Sequence, residues 1–227
     1  MPYPFAERKE WRLLLRDPSL FTQLGLQIVY TIPLAVVLVK SGSLPTALAL
    51  TPAIVVIAAQ VAASLAWIAV SGEDAPELIA TAPVRPASVD GAKLSAIALP
   101  VLLIASVPLA GLALASPKAG LLALIFSIGA SVSTSLLNLW HPMPGNRRGM
   151  LRRHAQSKFI GLMEHLLAIL WAVGAVLALL GTTIWFVPVL LAVGVLGHGA
   201  VTGGLVKFGR RAGGMTTKAA GEFTPAA

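Results

Sequence analysis

The chain has 227 residues, of which 56% are hydrophobic and only 11% charged, and its mean hydropathy is +0.83. These values exclude an ordinary soluble domain, whose helices carry charged residues along their whole length. The net charge of +8 would suit nucleic acid, but the basic residues are spread over short segments between apolar runs, so no nucleic acid partner is predicted.

The first segment of the chain is amphipathic. Residues 5–16 read FAERKEWRLLLR and are followed by Asp17 and Pro18. Tryptophan and leucine beside arginine are typical of a helix that lies in the lipid headgroup layer. We therefore predict an interfacial helix within residues 1–20, in contact with membrane lipid. The alternative is a solvated lead-in to the first span.

Six apolar runs follow, and they cover residues 21–39, 46–70, 94–115, 119–140, 160–180 and 184–205. Runs of about twenty residues match the ~30 Å hydrocarbon core of a bilayer. They do not alternate apolar and polar residues, as barrel strands do. The predicted fold class is an all-α membrane protein with six transmembrane helices in residues 21–206, and residues 207–227 are predicted to be a disordered cytoplasmic tail.

The basic residues predict the orientation of the chain. Fifteen of the seventeen lysines and arginines fall before the first run, in the loops 71–93 and 141–159, or after the last run. The positive-inside rule makes these segments cytoplasmic. Both termini are then expected in the cytoplasm, and the remaining loops are only a few residues long.

The loop 71–93 is the cytoplasmic loop in which acidic residues are concentrated. Ser71 and Asp74 fit a capping box, and Glu73 and Glu77 fall in the first turn of the helix that it would start. Proline at Pro83 ends that helix. The short helix is left with an apolar patch beside acidic residues, which either docks another protein or packs under a neighbouring loop.

Few polar residues lie inside the runs. The conspicuous ones are Gln60, Asn138, Glu164, His165 and His198. Glu164 is about one turn from the cytoplasmic end of its span, so pairing with Arg152, Arg153 or Lys158 is favoured over a proton relay. Near His198, Gly199 and Gly203 have the spacing that lets membrane helices approach closely.

The sequence contains no motif for chemistry. It has no cysteine, no glycine-rich phosphate loop and no set of residues spaced as metal ligands. We predict that the chain is not an enzyme and has no catalytic, cofactor-binding or metal-binding residues of its own.

Three segments together resemble the permease subunits of type-2 ATP-binding-cassette exporters. They are RKEWRLLLRDP (8–18), GEDAPELIATAPV (72–84) followed by Lys93, and the arginine-rich loop that ends in QSK (156–158). The resemblance implies an N-terminal elbow helix that includes Trp11, Arg12, Leu14 and Arg16. It also implies a cytoplasmic coupling helix between spans two and three, which would contact the ATPase subunit through Glu73, Asp74, Glu77, Leu78, Ile79 and Pro83.

The same resemblance implies the setting in which the chain works. ATP and Mg²⁺ would be bound by a separate cytoplasmic ATPase, and a second permease half, identical or different, would complete the transport path. The expected location is the bacterial cytoplasmic (inner) membrane. Two alternatives remain: a membrane enzyme that uses Glu164 and His165, with His198 in the same polar cavity, and a scaffold or channel without an ATPase partner.

Overall fold

The apolar runs of the sequence form long, continuous helices. The computed structural model describes residues 45–71, 86–141 and 158–221, together with the single positions 25, 29 and 40. The helices are α1 (Thr46–Ser71), α2 (Pro86–Ala115), α3 (Pro117–Trp140), α4 (Lys158–Leu179) and α5 (Phe186–Gly221), and a short 3₁₀ helix (Thr183–Trp185) precedes α5. The described part of the chain contains no strand.

These helices supply five segments that are long and apolar enough to cross a membrane. The segments are Thr46–Val70, Val89–Ala115, Pro117–Trp140, Phe159–Leu179 and Thr183–Gly204. They coincide with the second to sixth predicted spans and indicate a multi-pass membrane protein, as the composition predicted. Apart from positions 25 and 29, the first predicted span lies outside the described residues, as do the elbow helix and the coupling helix.

Two helix boundaries differ from the sequence prediction. The sequence predicts a break through Pro86 and a helix that starts at Ser88, but α2 begins at Pro86, because a proline is tolerated in the first turn, where its missing N–H would have no partner. Lys93 therefore belongs to the helix and not to the loop. At the other end of the chain α5 continues to Gly221, whereas residues 207–227 were predicted to be disordered; after Pro188 in its first turn, the helix contains no further proline.

Helices α1 and α3 form the centre of the bundle. Helix α3 contacts α1, α2, α4 and α5, while α1 contacts α2, α3 and α4 and is the most completely buried span. The alanines Ala59, Ala62, Ala63 and Ala66 of α1 are fully buried. Because lipid tails are as apolar as a leucine side chain, helices in a membrane associate through close packing, which small side chains permit.

Helices α3 and α4 pack together where the aromatic ring of Trp171 lies against Gly129. A Cβ atom added at Gly129 of α3 would lie 2.5 Å from the Trp171 ring of α4, so the ring fills the space that a larger residue would occupy. The Trp171 N–H donates to Ser133 Oγ at 3.1 Å. The ring also meets Phe126 edge to face, with the centroids 5.9 Å apart. These contacts fix α4 against α3.

Two tight connections join the helices at one end of the bundle. Only Ser116 separates α2 from α3, and its side chain caps α3 by accepting from the Ala119 N–H. Helix α4 is followed by Gly181, whose φ of +73° is readily adopted by glycine. The N–H of Thr182 donates to the Leu177 carbonyl and the N–H of Gly181 to the Ala178 carbonyl, which is a Schellman motif.

A lysine at each end of the bundle binds a helix C-terminus. Lys118 Nζ donates to the carbonyl of Leu179, the last residue of α4, at 3.1 Å. At the opposite end Lys93 Nζ donates to the Ala69 carbonyl near the end of α1 at 3.3 Å, and Lys93 is only 7% exposed. A cation at a helix C-terminus satisfies free carbonyls and interacts favourably with the helix dipole.

Candidate functional site

A buried carboxyl group lies between α3 and α4. Glu164 and Asn138 are each 3% exposed, and Asn138 Nδ2 donates to Glu164 Oε1 at 2.7 Å. The same amide group donates to the Thr134 carbonyl at 3.0 Å. A carboxyl group within a membrane span is costly unless it is hydrogen-bonded. The amide of Asn138 supplies such a bond from the neighbouring helix.

The polar side chains of α3 continue from this pair toward α1. Thr134 is fully buried, and its Oγ1 lies 3.1 Å from the Ala59 carbonyl of α1 and 2.9 Å from the Ala130 carbonyl of its own helix. Ser135 Oγ lies 3.5 Å from the Ala62 carbonyl of α1. Helix α3 thus presents hydroxyl groups to α1 and an amide to α4. Hydrogen bonds between membrane helices of this kind contribute about 0.6 kcal/mol each on average.

The end of α3 is also joined to α5 through a histidine. His141 Nδ1 lies 3.1 Å from the Leu137 carbonyl and Nε2 lies 3.1 Å from Thr202 Oγ1. Because a carbonyl oxygen only accepts, Nδ1 carries the hydrogen of the bond to Leu137, and the second ring nitrogen forms a hydrogen bond with the Thr202 hydroxyl. Thr202 in turn lies 3.0 Å from the His198 carbonyl. His141 therefore links the end of α3 to α5.

The predicted intramembrane residues do not meet in one cavity. Glu164 faces the bundle interior, whereas His165 and His198 are exposed on the surface of α4 and α5. His165 Nδ1 bonds the Gly161 carbonyl of its own helix at 2.7 Å. Consecutive residues on a helix point about 100° apart, so Glu164 and His165 cannot share one face. The convergence that an acid-base site would need is not found among the described residues.

Asn138 is the partner of Glu164 that the sequence prediction missed. The prediction favoured Arg152, Arg153 or Lys158, and the side chains of these three residues lie outside the described part of the chain. Asn138 comes two residues before the end of α3 and Glu164 six residues after the start of α4. Since the two ends meet at the same side of the bundle, this similar depth was a signal that could have identified the pair.

The residues predicted to contact an ATPase, Glu73, Asp74, Glu77, Leu78, Ile79 and Pro83, lie outside the described residues and stay predictions, as do the elbow residues Trp11, Arg12, Leu14 and Arg16. Within the described part of the chain no three histidine, aspartate or glutamate side chains are placed to hold a metal ion. Several of the polar contacts that the structure does describe, such as Asn138 with Glu164, join helices to one another.

Comparison with known proteins gives no relative: no family model, curated protein or solved structure matches this chain.

Proposed function

We propose that this chain is the membrane-spanning permease subunit of an ATP-driven exporter of the type-2 ATP-binding-cassette class. A separate cytoplasmic subunit would bind ATP and Mg²⁺, and the chain itself would carry no catalytic residue. The observation that supports the proposal best is the position of the acidic segment 72–84. It joins α1 to α2, and α1 is the most buried helix of the bundle.

The contacts of α1 explain how a force on that segment would reach the spans. Helix α1 contacts α2, α3 and α4, and Lys93 at the start of α2 binds the Ala69 carbonyl near the end of α1. The two helices that flank the segment are therefore joined at its base. Displacement of the segment by an ATPase would move α1 and α2 together, which is the rigid-element motion that switches two-state proteins.

A second permease half would complete the transport path. The outer surface of α2 exposes Leu103, Val107 and Leu114, each more than 70% accessible in the single chain. Lipid alone satisfies such a surface, and so does the apolar face of another half. The proposal includes six spans, with the first in residues 21–39, an elbow helix in residues 1–20 and both termini in the cytoplasm of a bacterial cell.

The proposal predicts that a charge reversal at Glu77 separates the chain from its ATPase. The chain would be tagged, co-expressed with a candidate ATP-binding-cassette ATPase and purified, as wild type and as Glu77→Arg and Leu78→Asp variants. A like charge across an interface costs several kcal/mol, so recovery of the ATPase with Glu77→Arg should fall by about tenfold or more. Leu78→Asp should act similarly by placing a charge in the apolar patch.

The matched control is Glu222→Arg, which makes the same charge change in the predicted cytoplasmic tail and should leave ATPase recovery unchanged. The assignment of segment 72–84 as a coupling helix is wrong if both loop variants retain the ATPase. The exporter proposal itself is wrong if the wild-type chain and the ATPase do not associate and the chain does not stimulate ATP hydrolysis.

Orientation can be tested separately, because the chain has no cysteine that would react in the background. Thr183 is exposed in the turn after α4, which the positive-inside rule places outside the cell, and Asn146 lies in the cytoplasmic loop 141–159. A membrane-impermeant maleimide should label Thr183→Cys in intact spheroplasts and Asn146→Cys only after permeabilisation. The reverse pattern would place segment 72–84 outside the cell, beyond the reach of ATP.

A further inference from the structure

We infer that a cleft between α2 and α3 binds an uncharged lipid-like molecule that carries a hydroxyl or carbonyl group within its apolar part. This binding site does not rest on the exporter proposal, because it is formed by helices whose contacts the structure describes. The cleft has a volume of about 370 Å³, and Ala58 of α1 forms part of its floor. One water occupies about 30 Å³ of the liquid, so the cleft has room for roughly a dozen groups of that size.

The wall of the cleft is almost entirely apolar. Of the described residues that line it, none is charged, and the polar ones are serines. Leu102, Ile128 and Val132 line the cleft and are also between 43% and 49% exposed, so it opens toward the surrounding membrane. An apolar wall excludes a charged ligand, since burial of an unpaired charge is costly. The opening admits a molecule that is dissolved in the bilayer.

The serines are the feature that apolar packing does not explain. Ser127, Ser131 and Ser135 are spaced by one helical turn along the α3 face that lines the cleft. Ser135 has the Ala62 carbonyl within 3.5 Å, but the buried hydroxyl oxygens of Ser127 and Ser131 have no hydrogen-bond partner among the described residues. Ser127 is only 4% exposed.

Several other hydroxyl groups in the bundle are satisfied by a carbonyl of their own helix. Thr51 donates to the Ala47 carbonyl, Ser64 to the Gln60 carbonyl and Ser133 to the Gly129 carbonyl, each at 2.7 Å. The same bond is open to a serine at any position in a helix. A buried hydroxyl group without a hydrogen-bond partner is unfavourable. Rotation about the Cα–Cβ bond lets the Oγ of Ser127 or Ser131 take any of three staggered positions, so each hydroxyl can turn toward a partner in the cleft. An oxygen on a bound molecule would supply the missing partner.

The depth of the serines selects the kind of molecule. Ser127 is the eleventh of the 24 residues of α3, which places it about 15 Å along a helix that rises 1.5 Å per residue. This position is near the middle of a hydrocarbon core about 30 Å thick. A phospholipid headgroup does not reach that depth without burial of charge. The occupant therefore carries its oxygen between apolar portions.

The test uses two esters that differ by one mid-chain hydroxyl. The full chain in nanodiscs is offered equal amounts of methyl 12-hydroxystearate and methyl stearate, and native mass spectrometry measures how much of each is bound. We expect a preference of about 3- to 10-fold for the hydroxy ester, which is the ratio that one neutral hydrogen bond supplies. The Ser127→Ala, Ser131→Ala double variant should bind both esters equally, and without ester its thermal stability should be unchanged or higher.

Two further variants separate the cleft from general solubility in lipid. Ala98 is exposed and lines the cleft, so Ala98→Phe should reduce binding of both esters by filling it. Ser106 is exposed on α2 and bonds the Leu103 carbonyl of its own helix, so Ser106→Ala should leave the preference intact. The inference is overturned if wild type shows no preference, if the double variant keeps it, or if Ala98→Phe binds as much ester as wild type.

Discussion

Replacement of Gly203 by valine is expected to separate α5 from α3. A Cβ atom at Gly203 would lie 2.8 Å from the carbonyl oxygen of Trp140 and 3.2 Å from its carbonyl carbon. These are backbone atoms at the end of α3, so no side-chain rotation can relieve the collision. Overpacking of this kind costs about 1–3 kcal/mol and occasionally more. The His141 bond to Thr202, next to Gly203 in the sequence, should be lost as the helices move apart.

Gly204 provides the matched control for this substitution. It is the next residue of α5, it is exposed, and a Cβ atom there would meet nothing within 4 Å. Valine changes the intrinsic helix propensity equally at both positions, so the difference between the two variants reports packing alone. Thermal unfolding in detergent, followed by size-exclusion recovery of the folded chain, would measure it. Equal stability of Gly203→Val and Gly204→Val would show that α5 does not pack on α3 as described.

Removal of the Asn138 amide is expected to destabilise the chain by about 1–3 kcal/mol, since Glu164 Oε1 would lose a donor while remaining buried. The variant Asn138→Leu should show this decrease in the free energy of unfolding when the chain is unfolded in detergent. Replacement of both residues by leucine should recover part of it, because the buried carboxyl group is then removed together with the amide that donates to it. A double-mutant cycle of wild type, Asn138→Leu, Glu164→Leu and the double variant measures the interaction energy between the two side chains. This energy should be favourable and on the order of 1 kcal/mol.

Glu164→Gln distinguishes a packing role from acid-base chemistry. Glutamine keeps the carbonyl oxygen that accepts from Asn138 but cannot exchange a proton, so folding and transport should both be retained. Loss of activity in a stable Glu164→Gln variant would favour the membrane-enzyme alternative. A zero interaction energy between positions 138 and 164 would mean that the 2.7 Å contact does not hold these helices together.

The positions of the second to sixth predicted spans could be predicted from the sequence because they depend on composition alone. The run 46–70 matches Thr46–Val70, and the run 119–140 matches Pro117–Trp140 to within two residues. The start of α2 could not be placed as well. A proline can either start a helix in its first turn or end the preceding one, and the sequence around Pro86 does not distinguish the two.

The contacts between spans could be predicted only in part. The spacing of Gly199 and Gly203 indicated close helix packing, but it did not identify Trp140 as the neighbour. Glu164 was recognised as costly in a membrane, and its favoured partners were basic residues close in sequence. Asn138 is 26 residues away and becomes a neighbour only when α3 and α4 pack side by side. The hydroxyl groups of Ser127 and Ser131, unpaired within the described part of the chain, could not be predicted either, because the spacing of the serines does not show which face of α3 lines a cleft.

The one-residue connection at Ser116 restricts how α2 and α3 can move relative to each other. Because their adjoining ends are held together, α2 and α3 can separate only by a hinge motion about Ser116. The distance between the two helix axes then increases with distance from Ser116. At Ser127 each degree of splay shifts one helix by about 0.3 Å, given the rise of 1.5 Å per residue. A lipid-like molecule would thus enter or leave the cleft most easily on the side remote from Ser116, where α2 and α3 separate furthest.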